Sequence, residues 1–221
     1  MDIPILYEDN HLLIVEKPVN IPVQADESKD LDLLNLLKQD IKVRYQKPGN
    51  VYLGLVHRLD RPVGGAIVFA KTSKAASRLS NELRKQAVER EYITVVRGKI
   101  KKSSGKLEDF LLKDRQKNIV QVTRSSVKEA KKAVLHYTVE ASGNGLSRVR
   151  VKLQTGRPHQ IRVQLAHAGF PIYGDQKYGQ QVNRPGEQIA LWAERLSVQH
   201  PTKDEMITVH SVPPKEYPWN L

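Results

Sequence analysis

The sequence predicts an α+β fold in which helices flank a largely antiparallel sheet. Three observations carry this. Short apolar or alternating runs of strand length recur along the chain, each bounded by Gly, Pro, Asn or Asp. Stretches of helical periodicity lie between some of them. Residues 133–154 hold two alternating runs about a tight-turn signal, the mark of an antiparallel hairpin. About eight strands and three helices, with no internal repeat and no linker, are what one α+β domain over residues 1–221 requires.

The elements follow in order. "HLLIVEKP" (11–18) is a β-prone apolar run stopped by Pro18, a strand entering a turn. In "DLDLLNLLKQDI" (30–41), Leu33, Leu34, Leu37 and Ile41 share one helical stripe, with Asp30 as N-cap. "YLGLV" (52–56) and "GAIVFA" (65–70) have the composition of buried strands. Thr72 caps a helix reaching to Gln86, whose Ala75, Ala76, Leu79 and Leu83 form the buried face. "EYITVVRG" (91–98) alternates as a strand, while "KIKKSSGK" (99–106) and "RSSVKEAKK" (124–132) read as basic surface loops. The hairpin turns at Ser-Gly-Asn-Gly, where Asn and Gly accept positive φ. Its second strand sets Val149, Val151 and Leu153 against a row of positive charge, Arg148, Arg150 and Lys152. "TGRPHQIRVQLAHAG" (155–169) predicts a helix with Pro158 in its first turn and Gly169 as C-terminal cap. Ile161, Leu165 and Ala168 lie on one side, His159, Arg162 and Ala166 on another. "IALWAERLSVQHP" (189–201) and "MITVH" (206–210) close the chain as strands.

Composition narrows the function. Against 24 Asp and Glu stand 36 Lys and Arg, a formal net charge of +12. The isoelectric point near 9.8 points to a polyanionic partner. The absence of cysteine excludes disulfides, thiolate metal sites and a cysteine nucleophile. "MDIPILYEDN" has no basic or apolar leader, and no run is long enough to span a bilayer, which predicts a soluble, cytoplasmic protein. Phosphate-binding, dinucleotide, zinc-protease and serine-hydrolase motifs are missing, and the scattered histidines have no metal-ligand spacing.

Individual residues then have two readings each. Asp60, in Leu59-Asp60-Arg61-Pro62 between two strands, is either an ordinary turn aspartate or a carboxylate held rigidly as nucleophile or base. His57 has no serine or cysteine beside it and reads as a hydrogen-bonded structural residue. Tyr92 is a half-buried sheet residue or a ring on which a base stacks. Arg162 is an arginine paired with a surface acid or a partner of something across from its helix.

Taken together and in order, "DNHLLIVEKP", "HRLDRPVGGAIVFAK", "EREYITVVRG", "GRPHQIRVQLAHAGFPIYGDQKYG" and "LWAERL" resemble the RluA-type RNA pseudouridine synthase family over essentially the whole chain. The resemblance implies the pseudouridine synthase catalytic fold, with a largely antiparallel mixed sheet. It also implies isomerisation of uridine in ribosomal or transfer RNA without a cofactor; with no metal-ligand spacing no metal is expected, and the protein is expected to be a monomer. It places the essential aspartate on Asp60, the active-site tyrosine on Tyr92, the basic partner of the aspartate on Arg162, and the arginine that helps hold the base out of the helix on Arg58. Arg148, Arg150, Lys152 and the 99–106 loop become phosphate contacts.

The chain departs from the family at Val63-Gly64-Gly65, where Thr-Ser-Gly is common, at Pro158, and at Asn20, where a glycine is common and positive φ is expected. Only 56 residues precede His57, so no separate N-terminal RNA-binding module is expected. A catalytically silent RNA-binding protein on the same scaffold is the alternative reading.

Overall fold

The structure is a computed structural model that describes residues 2–26 and 29–221. In chain order its elements are β1 (Ile5–Glu8), β2 (Leu12–Lys17), α1 (Leu33–Arg44), β3 (Gly54–Leu55), β4 (Gly64–Ala70), α2 (Ser73–Arg84), β5 (Glu89–Arg97), β6 (Ser104–Asp114), β7 (Ile119–Thr123), β8 (Lys131–Gly143), β9 (Leu146–Leu153), α3 (Gln160–His167), β10 (Leu191–Gln199) and β11 (Met206–His210). The chain forms two compact units, Met1–Glu89 with Ala193–Val212, and Arg90–Trp192 with Pro213–Leu221.

In the first unit the strands run β1-β2-β4-β10, with β3 against β4 and β11 against β10. The ladders β1–β2, β2–β4, β3–β4 and β10–β11 are antiparallel. Both faces of β4 are buried, which is why "GAIVFA" shows no alternation. Ala66, Val68 and Ala70 pack with Leu12, Ile14, Leu196 and Val198 beneath Ala75 and Leu79 of α2. As expected, Thr72 caps α2, its side chain accepting from the Ala75 amide at 3.1 Å. The cap of α1 is Asp32 rather than Asp30: Asp32 Oδ1 accepts from the Asn35 amide at 3.0 Å, and Asp30 instead pairs with Arg61. Two acids two residues apart offer the same local signal, and the distant arginine decides between them.

In the second unit the order is β5-β9-β8-β6-β7, antiparallel throughout. The β8–β9 hairpin turns at Asn144 (φ 52°) and Gly145 (φ 74°), the two positive φ angles its sequence calls for. The basic stretch 99–106 is a loop only to Ser103, and β6 begins at Ser104. β6 lies between β8 and β7, and its exposure alternates from Ser104 to Asp109, but in "SGKLED" Leu107 is the one large apolar residue, so the sequence carries no alternating run there. Residues 131–132, also expected in a loop, open β8. Helix α3 is shorter than expected. His159 stands before it at φ 51°, in the left-handed region, and so does not share a helical face with Arg162.

Candidate active site

In the first unit the turn that carries Arg58 and Asp60 is held from several sides. The Val63 amide donates to the Asp60 carbonyl at 2.9 Å, closing the turn immediately before β4. His57 is the structural residue expected of it, its Nε2 accepting from the Val68 amide at 3.1 Å. Gly65 allows β4 to start so close to its neighbour: at φ +112°, a Cβ there would lie 2.3 Å from the Ala193 carbonyl oxygen. Asn20 has φ 65°, the conformation its place after Lys-Pro predicts. Its carbonyl accepts from Arg61 Nε at 3.2 Å. Asp60 is half-buried and Arg58 exposed, and Arg58 makes no ion pair among the described residues.

Beneath this turn lies a residue that the motifs did not single out. Lys17 is 0% exposed, yet it ends an apolar strand. Its ammonium donates to the carbonyls of Pro18 (2.8 Å), Ile21 (2.8 Å) and Arg61 (3.0 Å), joining the end of β2 to the Asp60 turn. Burial pulls its pKa down to about 7; the negative charge of Asp60 opposes the fall and the positive charge of Arg61 adds to it. The signal was a lysine following "LLIVE" directly before proline, where a strand buried on both faces has no economical place for a charge.

In the second unit Tyr92 is 7% exposed and pairs across the ladder with Val151. Arg162 is 6% exposed. One acid that it pairs with is buried. Nε and Nη2 of Arg162 each donate at 2.8 Å to the two oxygens of Asp175, which is itself 1% exposed. Burial pushes the Asp175 carboxyl up, but the Arg162 guanidinium and the Lys177 and Tyr178 amides outweigh it and hold the group below the usual carboxylate range. The Arg162 guanidinium also lies 5.3 Å from the centre of the Tyr178 ring. Tyr178 Oη is 2.6 Å from His159 Nδ1 and accepts from the Val120 amide at 2.9 Å. His159 and Arg162 thus reach the same ring despite leaving different parts of the backbone.

Register sorts the remaining predicted residues. Tyr92, Val151 and Tyr137 stand opposite one another on one face, and Ala133 of the same face packs against Val163 of α3. Arg148, Arg150 and Lys152 stand opposite Val95, Ile93 and Glu91, on the other face of the sheet from Tyr92 and α3. Glu140 takes up both arginines: Arg150 Nε at 2.7 Å and Arg148 Nε at 3.4 Å. Glu91 lies 3.6 Å from Arg150 Nη1. Among the described residues no His, Asp and Glu cluster is arranged to hold a metal ion, and no helix is long and apolar enough to cross a membrane.

Residues 11–167 match the family model described as RNA pseudouridylate synthase. The chain belongs to the RNA pseudouridylate synthase family. Its relatives place it with the RluA type, and it is accordingly an RNA pseudouridine synthase, an isomerase. The synthase is 37% identical over 214 residues to "Uncharacterized RNA pseudouridine synthase YhcT" of Bacillus subtilis, covering 95% of this chain and 68% of that one. It is 34% identical over 236 residues to "Ribosomal large subunit pseudouridine synthase D" of Pseudomonas aeruginosa, covering 100% and 71%. Its fold is that of "Human RNA Pseudouridylate Synthase Domain Containing 4", with a TM-score of 0.80 at 22% identity over 96% of this chain and 89% of that one.

Proposed function

We propose that the synthase converts uridine to pseudouridine in ribosomal RNA with Asp60 as its essential carboxylate, Arg162 as the countercharge of that carboxylate, and Tyr92 against the uracil ring. The observation that carries this reading is the construction around Asp60. A short turn is anchored by a buried lysine below, a backbone bond in front and a strand behind, as a group that must meet a sugar within fractions of an ångström requires. The ribosomal substrate follows from relatives named as ribosomal large subunit pseudouridine synthases.

The reaction breaks the bond between N1 of the base and C1′ of ribose, turns the base and joins C5 to C1′. Positive character develops at the sugar as the first bond breaks. A carboxylate beside C1′ and C2′ stabilises it, bonds to it, or takes the C2′ proton. The proton on C5 leaves once the new bond is made. A stacked uracil cannot rotate, so the nucleotide is extruded, at a cost of a few kcal/mol. Arg58 in the vacated space and Tyr92 on the extruded ring, the latter worth about 1–3 kcal/mol, offset it. Arg148, Arg150 and Lys152, on the sheet face away from Tyr92, hold phosphates at a distance from the reacting nucleotide, which position the RNA without reading its sequence.

Release of tritium from RNA carrying 5-tritiated uridine reads the last step directly. Asp60→Asn is expected to abolish release while leaving RNA binding intact, and wild-type release from that variant would refute the role of Asp60. Comparing pseudouridine maps of ribosomal and transfer RNA from cells with and without the protein identifies the target. An effect confined to transfer RNA would overturn the ribosomal assignment.

A further inference from the structure

We propose that Asp175 is a positioning residue for catalysis, presenting Arg162 to the reaction in a single orientation; this rests on the role given to Arg162 above. A guanidinium carries five N–H donors in a rigid plane. Asp175 accepts from Nε and from one hydrogen of Nη2, each at 2.8 Å, and so engages one edge of that plane side-on. The Nη1 side points away from Asp175, in a direction set by where the carboxylate sits.

The carboxylate is itself immobile. Asp175 Oδ1 accepts from the amides of Lys177 at 2.9 Å and Tyr178 at 3.2 Å. The Asp175 amide donates to the Ile172 carbonyl at 3.2 Å, and its own carbonyl accepts from the Gly179 amide at 3.0 Å. The Tyr178 ring flanks the guanidinium, with its hydroxyl tied to His159 and to the backbone of β7. A flexible arginine side chain is thereby confined on one edge and one face.

Stability alone does not explain such a pair. Two well-packed apolar side chains would serve a buried position as well or better, because desolvating both charges offsets much of their attraction. What the pair adds is direction. An arginine that must meet a developing charge gains rate when its donors already point to where that charge forms, and loses about 100-fold when displaced by about 1 Å. Lysine cannot substitute, since a single ammonium cannot engage Asp175 along one edge and present donors along another.

The test is tritium release by the full chain from a large-subunit ribosomal RNA transcript carrying 5-tritiated uridine, at saturating enzyme, with RNA affinity measured separately. Asp175→Asn keeps volume and removes charge. It is expected to lower the rate constant about 100-fold while affinity changes less than about 3-fold. In an Arg162→Ala background the same substitution is expected to cost less than about 3-fold more, because the two residues act as one unit. Asp175→Glu, which restores the carboxylate, is expected to recover part of the loss, and near-UV circular dichroism on every variant keeps the comparison to folded protein. Wild-type rate in Asp175→Asn, or losses that multiply in the double variant, would overturn the proposal. Wild-type rate in Arg162→Ala would instead overturn the role of Arg162 itself.

Discussion

Lys17 donates a 3.0 Å hydrogen bond to the carbonyl oxygen of Arg61, 44 residues further along the chain and next to Asp60. Two more bonds from the same ammonium hold Pro18 and Ile21. Lys17→Met preserves length and apolar stem but leaves these acceptors without their donor. A buried group left unsatisfied costs about 1–3 kcal/mol, and the variant is expected to lose about 3 kcal/mol. For a chain of this length that lowers the melting temperature by about 6–12 °C. An unchanged melting temperature would mean that the carbonyls find other donors.

The same lysine gives stability a pH dependence of known sign. Its folded pKa, about 7, lies below the 10.5 of an ordinary lysine. Between these values the unfolded chain holds a proton that the folded chain has shed, so stability rises with pH across that window. The contribution is complete above the unfolded value and lost as the pH falls through the folded one. The melting temperature of wild type minus that of Lys17→Met should therefore grow between about pH 6 and about pH 9. A constant difference would remove Lys17 as its source.

Gly65→Ala places a methyl group 2.3 Å from the Ala193 carbonyl at a positive φ. Backbone cannot swing aside as a side chain does, and the expected loss is at least about 2 kcal/mol. Gly143→Ala, where nothing lies within 4 Å, is the control. It should stay within about 0.5 kcal/mol of wild type. Equal behaviour of the two variants in thermal melts would show that the close approach at Gly65 is relieved at no cost.

Arg58 and Arg150 should separate in kinetics. Arg58→Ala is expected to lower the tritium-release rate at saturating RNA, as the role proposed for Arg58 in holding the base out of the helix requires. Arg150→Ala is expected to weaken affinity modestly and leave that rate unchanged, because it lies on the sheet face away from Tyr92. An Arg150→Ala defect in rate as large as that of Arg58→Ala would place both at the reacting nucleotide.

How much of this was legible in the sequence depended on where each signal came from. Strands with one clear period, the Thr72 cap and the Asn144-Gly145 turn are local, and the chain carries them in a few adjacent residues. Strands β1, β6 and β7 carry weak local signals: Ile5–Glu8 and Ile119–Thr123 are short, and the first half of β6 has Leu107 as its one large apolar residue. The motif around Asp60 was visible as a whole, but its anchors were not: Lys17 and Arg61 meet across 44 residues, and nothing local to either announces the other. Asp175 lies inside "GDQKYG", but its meaning comes from Arg162, 13 residues earlier. Arg148, Arg150 and Lys152 share one face of a strand, as their spacing predicts. What they face depends on Glu140 and Glu91, which reach them from neighbouring strands.

Those two glutamates bear on how the protein should respond to ionic strength. Counterion release from RNA scales with phosphates newly neutralised, so each protein cation that must first give up a carboxylate returns less of that gain. Arg148 and Arg150 already have one. The slope of log affinity against log salt should then fall well short of what the chain's tally of basic residues suggests, and Glu140→Gln should steepen it.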